Sequence, residues 1–314
     1  MNSLKFNKKE GDTKVVVAMS GGVDSSVAAV MLKKQGYDVT GVTLKLYNQT
    51  NVNNSKSCCA GRDIEDAKKI ANKYDFPHLT FDYQDKFYEG VIENFVESYS
   101  NAETPIPCIK CNQTVKFRDL FKEAKKMNAD ALVTGHYVIR RGGKQNAKLF
   151  KAKDANKDQS YFLFPITSEA LSKTLFPLGG MTKPEVRAHG ERLGLVTAKK
   201  KESQDVCFIP DGNYANFLMG HNKDSLPDGS GEIVTREGDV VGHHDGFWKY
   251  TIGQRRGLGV AMGKPTYVID IDPKTKKVVI GDNKYLQSYA LEAVRMNWFR
   301  EPKEGEALTA RIRH

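Results

Sequence analysis

Residues 15–26, VVVAMSGGVDSS, leave this chain little choice of fold. The unbroken apolar run Val15-Val16-Val17-Ala18-Met19 is the pattern of a strand buried on both faces. Ser20-Gly21-Gly22-Val23-Asp24-Ser25-Ser26 comes next, and then Val27, Val30 and Met31 recur at helical spacing. Strand, glycine turn and helix gather backbone N–H groups and the positive end of a helix dipole at one point, a geometry that holds an anion. Gly21 and Gly22 allow close approach and a positive φ. Ser20, Ser25 and Ser26 offer hydroxyls, and Asp24 can hold a Mg²⁺ ion against phosphate oxygens. The competing reading is an ordinary strand-to-helix turn capped by Asp24 or Ser25. A Walker loop is excluded, because the G-K-[ST] lysine is missing.

Beyond the loop, strands and helices alternate. Residues 39–44, 79–83 and 131–137 read as strands. Helical spacing appears over 62–74, through Phe87, Val91 and Phe95, and through Phe117, Leu120, Phe121 and Ala124. This order predicts an α/β fold, a doubly wound parallel sheet with its site at the carboxyl ends of the strands. Loop 20–26, Leu44, the proline-rigid stretch 104–112 and Gly135-His136 are all expected at that edge. A basic hairpin is predicted around Gly142-Gly143, a helix from Lys157, and a further helix capped by Thr182 with Glu185. From Ser230 short strands parted by Gly, Asp and Pro turns predict small β-rich domains. The expected division is 1–212, 213–284 and 285–314. The closing ALTARIRH looks like a strand cut short, so the last domain is expected to be truncated.

The 314 residues carry a net charge of +10, which favours a polyanionic partner, nucleic acid, over a basic protein whose lysines are simply solvated. No apolar stretch is long enough for a membrane span, and the first residues lack an apolar leader, so a cytoplasmic protein is expected. The five cysteines then read as thiols rather than a disulfide framework.

Six motifs occur in one order: SGGVDSS at 20–26, the proline loop ending Cys111-Asn112, GHY at 135–137, KDQSYFL at 157–163, SQDVCFI at 203–209 and GHHDGFWKYTIGQRRGLG at 242–259. The first resembles the pyrophosphate loop of the N-type ATP pyrophosphatases, which have an adenine nucleotide alpha hydrolase-like fold. Together they resemble the tRNA-specific 2-thiouridylase family across nearly the whole chain. The resemblance implies a three-domain layout: a catalytic pyrophosphatase domain, a small central domain and a C-terminal β-barrel. It also implies ATP-dependent 2-thiolation of the wobble uridine in the tRNAs for lysine, glutamate and glutamine. ATP and Mg²⁺ are the implied cofactors. The implied partners are the tRNA anticodon arm, not DNA, and a persulfide donor such as a cysteine desulfurase or sulfur-relay protein.

Carried over residue by residue, the resemblance implies ATP contacts at Ala18, Met19, Ser20, Gly21, Gly22, Val23, Asp24, Ser25, Ser26, Leu44 and Gly135. It implies tRNA contacts at Ile106, Pro107, Cys108, His136, Lys157, Asp158, Gln159, Arg313 and His314. Cys207 is the implied persulfide carrier and Cys111 the second catalytic thiol, the two ending as a disulfide in one version of the chemistry. Cys111, at a helix start, and Cys207, after a basic run, are both expected to have lowered thiol pKa values. Cys108 stands where the family commonly has aspartate. That leaves open an iron–sulfur cluster on Cys108, Cys111 and Cys207. Cys58 and Cys59 are expected near the site without an assigned role. Arg140, Arg141, Lys144, Lys148 and Lys199 to Lys201 are candidate phosphate contacts, or simply a solvated face. Two other classes stay open: a pyrophosphatase acting on a small molecule, and a non-catalytic RNA-binding relative.

Overall fold

The apolar run at the N-terminus becomes the middle strand of a five-stranded sheet. The computed structural model of the chain describes residues 2–47, 61–143, 146–202, 206–209, 212–221 and 228–312. It forms two units. One comprises Met1–Gly90, Cys108–Pro210 and Asn297–His314, the other Val91–Pro107 and Asp211–Met296.

In the first unit, β1 (Lys14–Ala18) leads through the loop to α1 (Val23–Lys34) and β2 (Asp38–Lys45). Then come α2 (Gly61–Lys73), β3 (His78–Asp82) and α3 (Gln84–Phe87). After a π-helical turn the helix continues as α4 (Glu93–Ser100), which belongs to the second unit. The chain returns with α5 (Pro107–Cys111), a π-helical stretch Asn112–Leu120 and α6 (Phe121–Lys126). It then adds β4 (Ala131–Val133), the hairpin β5 (Val138–Arg141) and β6 (Lys148–Lys151), α7 (Ser168–Lys173), β7 (Thr174–Leu175) and α8 (Lys183–Arg192). The main sheet runs β3-β2-β1-β4-β7 with every pairing parallel, as the alternation predicts. The chain winds outward through β2 and β3 on one side of β1 and through β4 and β7 on the other. The switch point therefore lies where β1 ends, and the loop is there. Val15, Val17, Val27, Val30, Val39 and Val133 form the apolar layer beneath it, each about fully buried.

One helix fails. Residues 157–162 give only a single 3₁₀ turn, Ser160–Leu163. The Asp158 carboxylate accepts from the Ala152 and Ser160 backbone N–H groups and from the Ser160 hydroxyl, and the Gln159 N–H goes to the Tyr137 carbonyl, so the start of the segment is held as a turn against other parts of the chain. The Thr182–Glu185 capping box on α8 forms as its pattern demands.

The second unit adds α9 (Tyr214–His221), β8 (Gly231–Thr235), β9 (Val240–His244), β10 (Tyr267–Asp272) and β11 (Lys277–Gly281). Its sheet has the order β10-β11-β8-β9. Stacked Tyr99 and Tyr214, 4.8 Å apart, and edge-on Phe95 and Phe217 explain why α4 belongs with this unit. Among the described residues no helix or strand follows the turn Asn283–Leu286.

Candidate active site

Loop 19–22 starts from the carboxyl end of β1, and Gly22 caps α1 with no side-chain hydrogen bond, so no side chain of the cap occupies the first turn. Gly21 has φ +69°, and a Cβ there would stand 2.3 Å from the Asp63 carbonyl oxygen, so only glycine fits. A Cβ on Gly135, just past β4, would lie 2.8 Å from the Ser25 nitrogen and 3.1 Å from the Asp24 Cβ. Two of the candidate ATP contacts, the loop and Gly135, are thus in direct apposition. Ser25 Oγ accepts from the Ser20 N–H at 3.1 Å, and Ser26 Oγ donates to the Gly22 carbonyl at 2.7 Å. Those serines hold the loop in shape, while Ser20 is exposed. Ala18 closes β1, Met19 and Val23 are buried beside it, and Leu44 is buried near the end of β2 at the same sheet edge.

Asp24 is the most heavily engaged residue of the loop. Lys183 Nζ donates to both its carboxylate oxygens, at 2.8 and 2.7 Å, and the Tyr137 hydroxyl donates to Oδ1 at 2.7 Å. Burial, and then the charge of Asp24, push the Tyr137 phenol pKa up, so it stays a donor. Lys183 is itself buried and reaches Glu202 at 3.2 Å. On the other flank Lys200 Nζ donates to the Gly21 carbonyl at 3.0 Å, to Asp63 at 2.6 Å and to Asp66 at 2.8 Å. Burial raises the Asp63 pKa, with the Lys200 contact opposing it. Of the basic run 199–201, Lys200 is therefore spent on the loop, and Lys199 and Lys201 are exposed. Of the hairpin cations, Arg140 donates to the Leu171 and Ser172 carbonyls.

The Cys207 backbone and its neighbour Phe208 are held by aromatic residues. The Tyr47 hydroxyl, just past β2, donates to the Cys207 carbonyl at 2.9 Å. Phe208 packs edge-on against Phe87, 5.8 Å between centroids. Cys111 ends α5, buried, and its chain runs directly into the π-helical stretch, a local widening common at functional sites. This corrects the expectation of a thiol activated at a helix start: burial pushes the Cys111 thiol pKa up, and nearby Lys116 only partly opposes it. Cys111 carries a free thiol, so the Cys111–Cys207 disulfide of the implied chemistry is not formed here.

Among the described residues no group of three His, Cys, Asp or Glu side chains could hold a metal ion. The cluster on Cys108, Cys111 and Cys207 is accordingly not assembled. Cys108 and Cys111 lie on one short helix with Cys108 exposed and Cys111 buried, so their thiols do not share an environment. The loop offers one carboxylate, Asp24, that could hold a divalent cation, and it is paired with Lys183.

His136 lies between Phe117 and Phe176, with Nδ1 2.8 Å from the Thr134 hydroxyl. Burial, and then Lys116, hold its pKa well below the ordinary value, which favours the neutral ring. Gln159 exchanges backbone and side-chain hydrogen bonds with Tyr137, and Lys157 donates to Glu202 at 2.7 Å. Asp158 makes turn contacts and faces Arg311 at 3.8 Å. Ile106 and Pro107 fall in the second unit, whereas Cys108 opens the returning stretch of the first. Cys58, Cys59, Lys144, Ser203, Gln204, Asp205, Arg313 and His314 lie outside the described residues. Tyr47, Lys183 and Glu202 escaped the sequence reading, and Tyr137 entered it only as part of the GHY motif, with no role assigned. Lys183 had a local signal in its place inside the TKPE helix start.

The family model described as tRNA methyl transferase HUP domain matches residues 13–211, and the one described as tRNA methyl transferase PRC-barrel domain matches 216–282. The tRNA-specific 2-thiouridylase MnmA of Rhizobium rhizogenes is 47% identical, over 100% of this chain and 81% of its own length. The protein of the same name from Sinorhizobium medicae is 49% identical over 95% of this chain and 76% of its own. Among solved structures, NMN synthetase from Francisella tularensis aligns with TM-score 0.40 and 20% identity, over 62% of this chain and 67% of that one. With near-half identity sustained across both matched domains, the chain belongs to the tRNA-specific 2-thiouridylase family of tRNA sulfurtransferases.

Proposed function

We propose that this chain uses ATP to replace the C2 oxygen of the wobble uridine of lysine, glutamate and glutamine tRNAs with sulfur. The observation that carries this reading is the Tyr47–Cys207 hydrogen bond, which puts the Cys207 backbone beside the carboxyl end of β2, on the sheet edge that bears the 20–26 loop. A uracil C2 carbonyl is a poor electrophile because its oxygen leaves badly. Attack of that oxygen on the α-phosphate of ATP, with loss of the N3 proton, expels pyrophosphate and turns the oxygen into part of an AMP leaving group. The backbone at Gly21, Gly22 and Gly135 and the first turn of α1 receive the phosphates, and Leu44 lines the adenine side. Bound Mg²⁺ would neutralise phosphate charge beside Asp24.

Sulfur then comes from a persulfide on Cys207. Its terminal sulfur attacks C2, and AMP leaves with the C2–O bond's electrons. The Cys111 sulfur next attacks the Cys207 sulfur, its thiol losing its proton as the base regains one at N3, which releases 2-thiouridine and forms a Cys111–Cys207 disulfide. A thiol reductant reopens it, and a persulfide-bearing donor protein reloads Cys207. Ile106, Pro107, Cys108, His136, Lys157, Asp158, Gln159, Arg313 and His314 are the proposed tRNA contacts around a uridine taken out of its stack. The proposed division is catalytic 1–212, central 213–284 and C-terminal 285–314, in a cytoplasmic enzyme. Among the described residues no helix is long and apolar enough to cross a membrane. The test is nucleoside mass spectrometry of a wobble-unmodified tRNA after incubation with the chain, ATP and a persulfide donor. Exchange of oxygen for sulfur at the wobble uridine is expected. Addition of a methyl group, or AMP formed without any change to the tRNA, overturns the reading.

A further inference from the structure

Glu202 has no assigned role, yet its carboxylate meets three cations from two segments, Lys157 and, on helix α8, Lys183 and Arg187. Lys157 Nζ is 2.7 Å from Oε2, while Lys183 Nζ and Arg187 Nη2 are 3.2 and 3.4 Å from Oε1. Each cation leads elsewhere. Lys183 grips Asp24 in the loop with two hydrogen bonds. Arg187 also donates to the carbonyls of Ala198 and Lys200, and Lys200 holds the Gly21 carbonyl. Lys157 opens the KDQ segment, whose Gln159 is bonded to Tyr137, the second donor to Asp24. Glu202 stands five residues before Cys207 in the sequence. Burial disfavours its charge, but the hydrogen bonds and charges of Lys157 and Lys183 prevail and hold its pKa at about 2, so it is ionised throughout the working range.

We propose that Glu202 is a positioning residue that keeps the Cys207 segment in register with the adenylation loop. It touches neither nucleotide nor base and acts through Lys183 and Lys157. The inference rests on the reading of the chain as an ATP-dependent tRNA-thiolating enzyme, and it adds a specific failure mode. Without the Glu202 charge, adenylation proceeds but Cys207 is misplaced, and water takes the adenylated C2 in its stead. Hydrolysis breaks the same C2–O–AMP linkage and returns uridine and AMP. AMP therefore accumulates without thiouridine.

The experiment measures AMP and 2-thiouridine in one reaction, with an unmodified lysine tRNA transcript, ATP and glutathione persulfide. Wild type, Glu202→Gln and Lys157→Met are compared. Glu202→Gln is expected to raise the AMP-to-thiouridine ratio about threefold or more, with little change in KM for ATP, the scale expected for loss of one charge-assisted contact. Lys157→Met, at a partly exposed arm, moves the ratio the same way by less, and it reads the same quantity if Glu202→Gln does not fold. A ratio at the wild-type value in both variants, whether rates fall together or stay normal, overturns the inference while leaving the thiolation reading intact. A wild type that makes no thiouridine removes both.

Discussion

Gly135→Ala tests the apposition of β4 and the loop. The added methyl would sit 2.8 Å from the Ser25 nitrogen, about 0.6 Å inside the 3.4 Å at which ordinary contact begins. The obstacle is backbone in the first turn of α1, so no flexible side chain can swing away. The loop must move by about that distance. Misplacing a reacting group by about 1 Å costs about a hundred-fold, so a proportional loss in log rate for 0.6 Å is roughly fifteen-fold, or about 1.6 kcal/mol in the barrier. Strain of this kind also costs about 1–3 kcal/mol of stability, a fall of a few degrees in Tm for a chain of this size. Gly180→Ala is the control, since a Cβ there meets nothing within 4 Å. AMP formation under saturating tRNA and a thermal melt give both numbers. If Gly135→Ala turns over ATP as the control does, Gly135 does not set the loop geometry and the steric argument is wrong.

Asp24→Ala should lose adenylation and also lower stability by about 3 kcal/mol, because Lys183 stays buried with only Glu202 opposite it; denaturant titration reads the second effect. In the folded chain iodoacetamide should label exposed Cys108 well before Cys111, whose thiol is buried and raised in pKa; peptide mass spectrometry showing Cys111 labelled first would count against this. The depressed pKa of Glu202 contributes stability that is fully present above its unfolded value of 4.5 and is lost as pH falls toward about 2. The stability gap between wild type and Glu202→Gln, on the order of 1 kcal/mol after solvent screening, should therefore close over that window in pH-dependent melts. Affinity for tRNA should fall steeply between low and moderate salt, as counterion release by a chain of net charge +10 requires; flat titrations would refute it.

The fold was legible because it rests on short-range patterns. Val15 to Met19 could only be a doubly buried strand, and the order of strands and helices that follows admits few topologies other than a parallel sheet. The segment 157–162 misled for an equally local reason. Its Tyr-Phe-Leu run is helix-compatible, but the contacts of Asp158 and Gln159 hold its start as a turn. Helix α2 shows the limit of periodicity in another way. Its inner face includes Asp63, which no apolar pattern announces and which is buried only because Lys200 comes back to meet it.

The site divides along the same line. Its backbone features were visible, since Gly21 and Gly135 mark places where a Cβ cannot exist. Its charges were not. Asp24 was readable as a loop carboxylate, but its partners are Tyr137 and Lys183, far along the chain, and the lysine's other partner is Glu202. Lys183 and Glu202, alone, each look like one more solvated charge among 86 charged side chains, 48 basic and 38 acidic. Only the fold reveals that one lysine is buried between two carboxylates, one in the loop and the other five residues before Cys207. A buried cation so placed is costly unless both carboxylates remain. The loop and Glu202 are therefore linked energetically through Lys183, and a change at either carboxylate must be felt at the other.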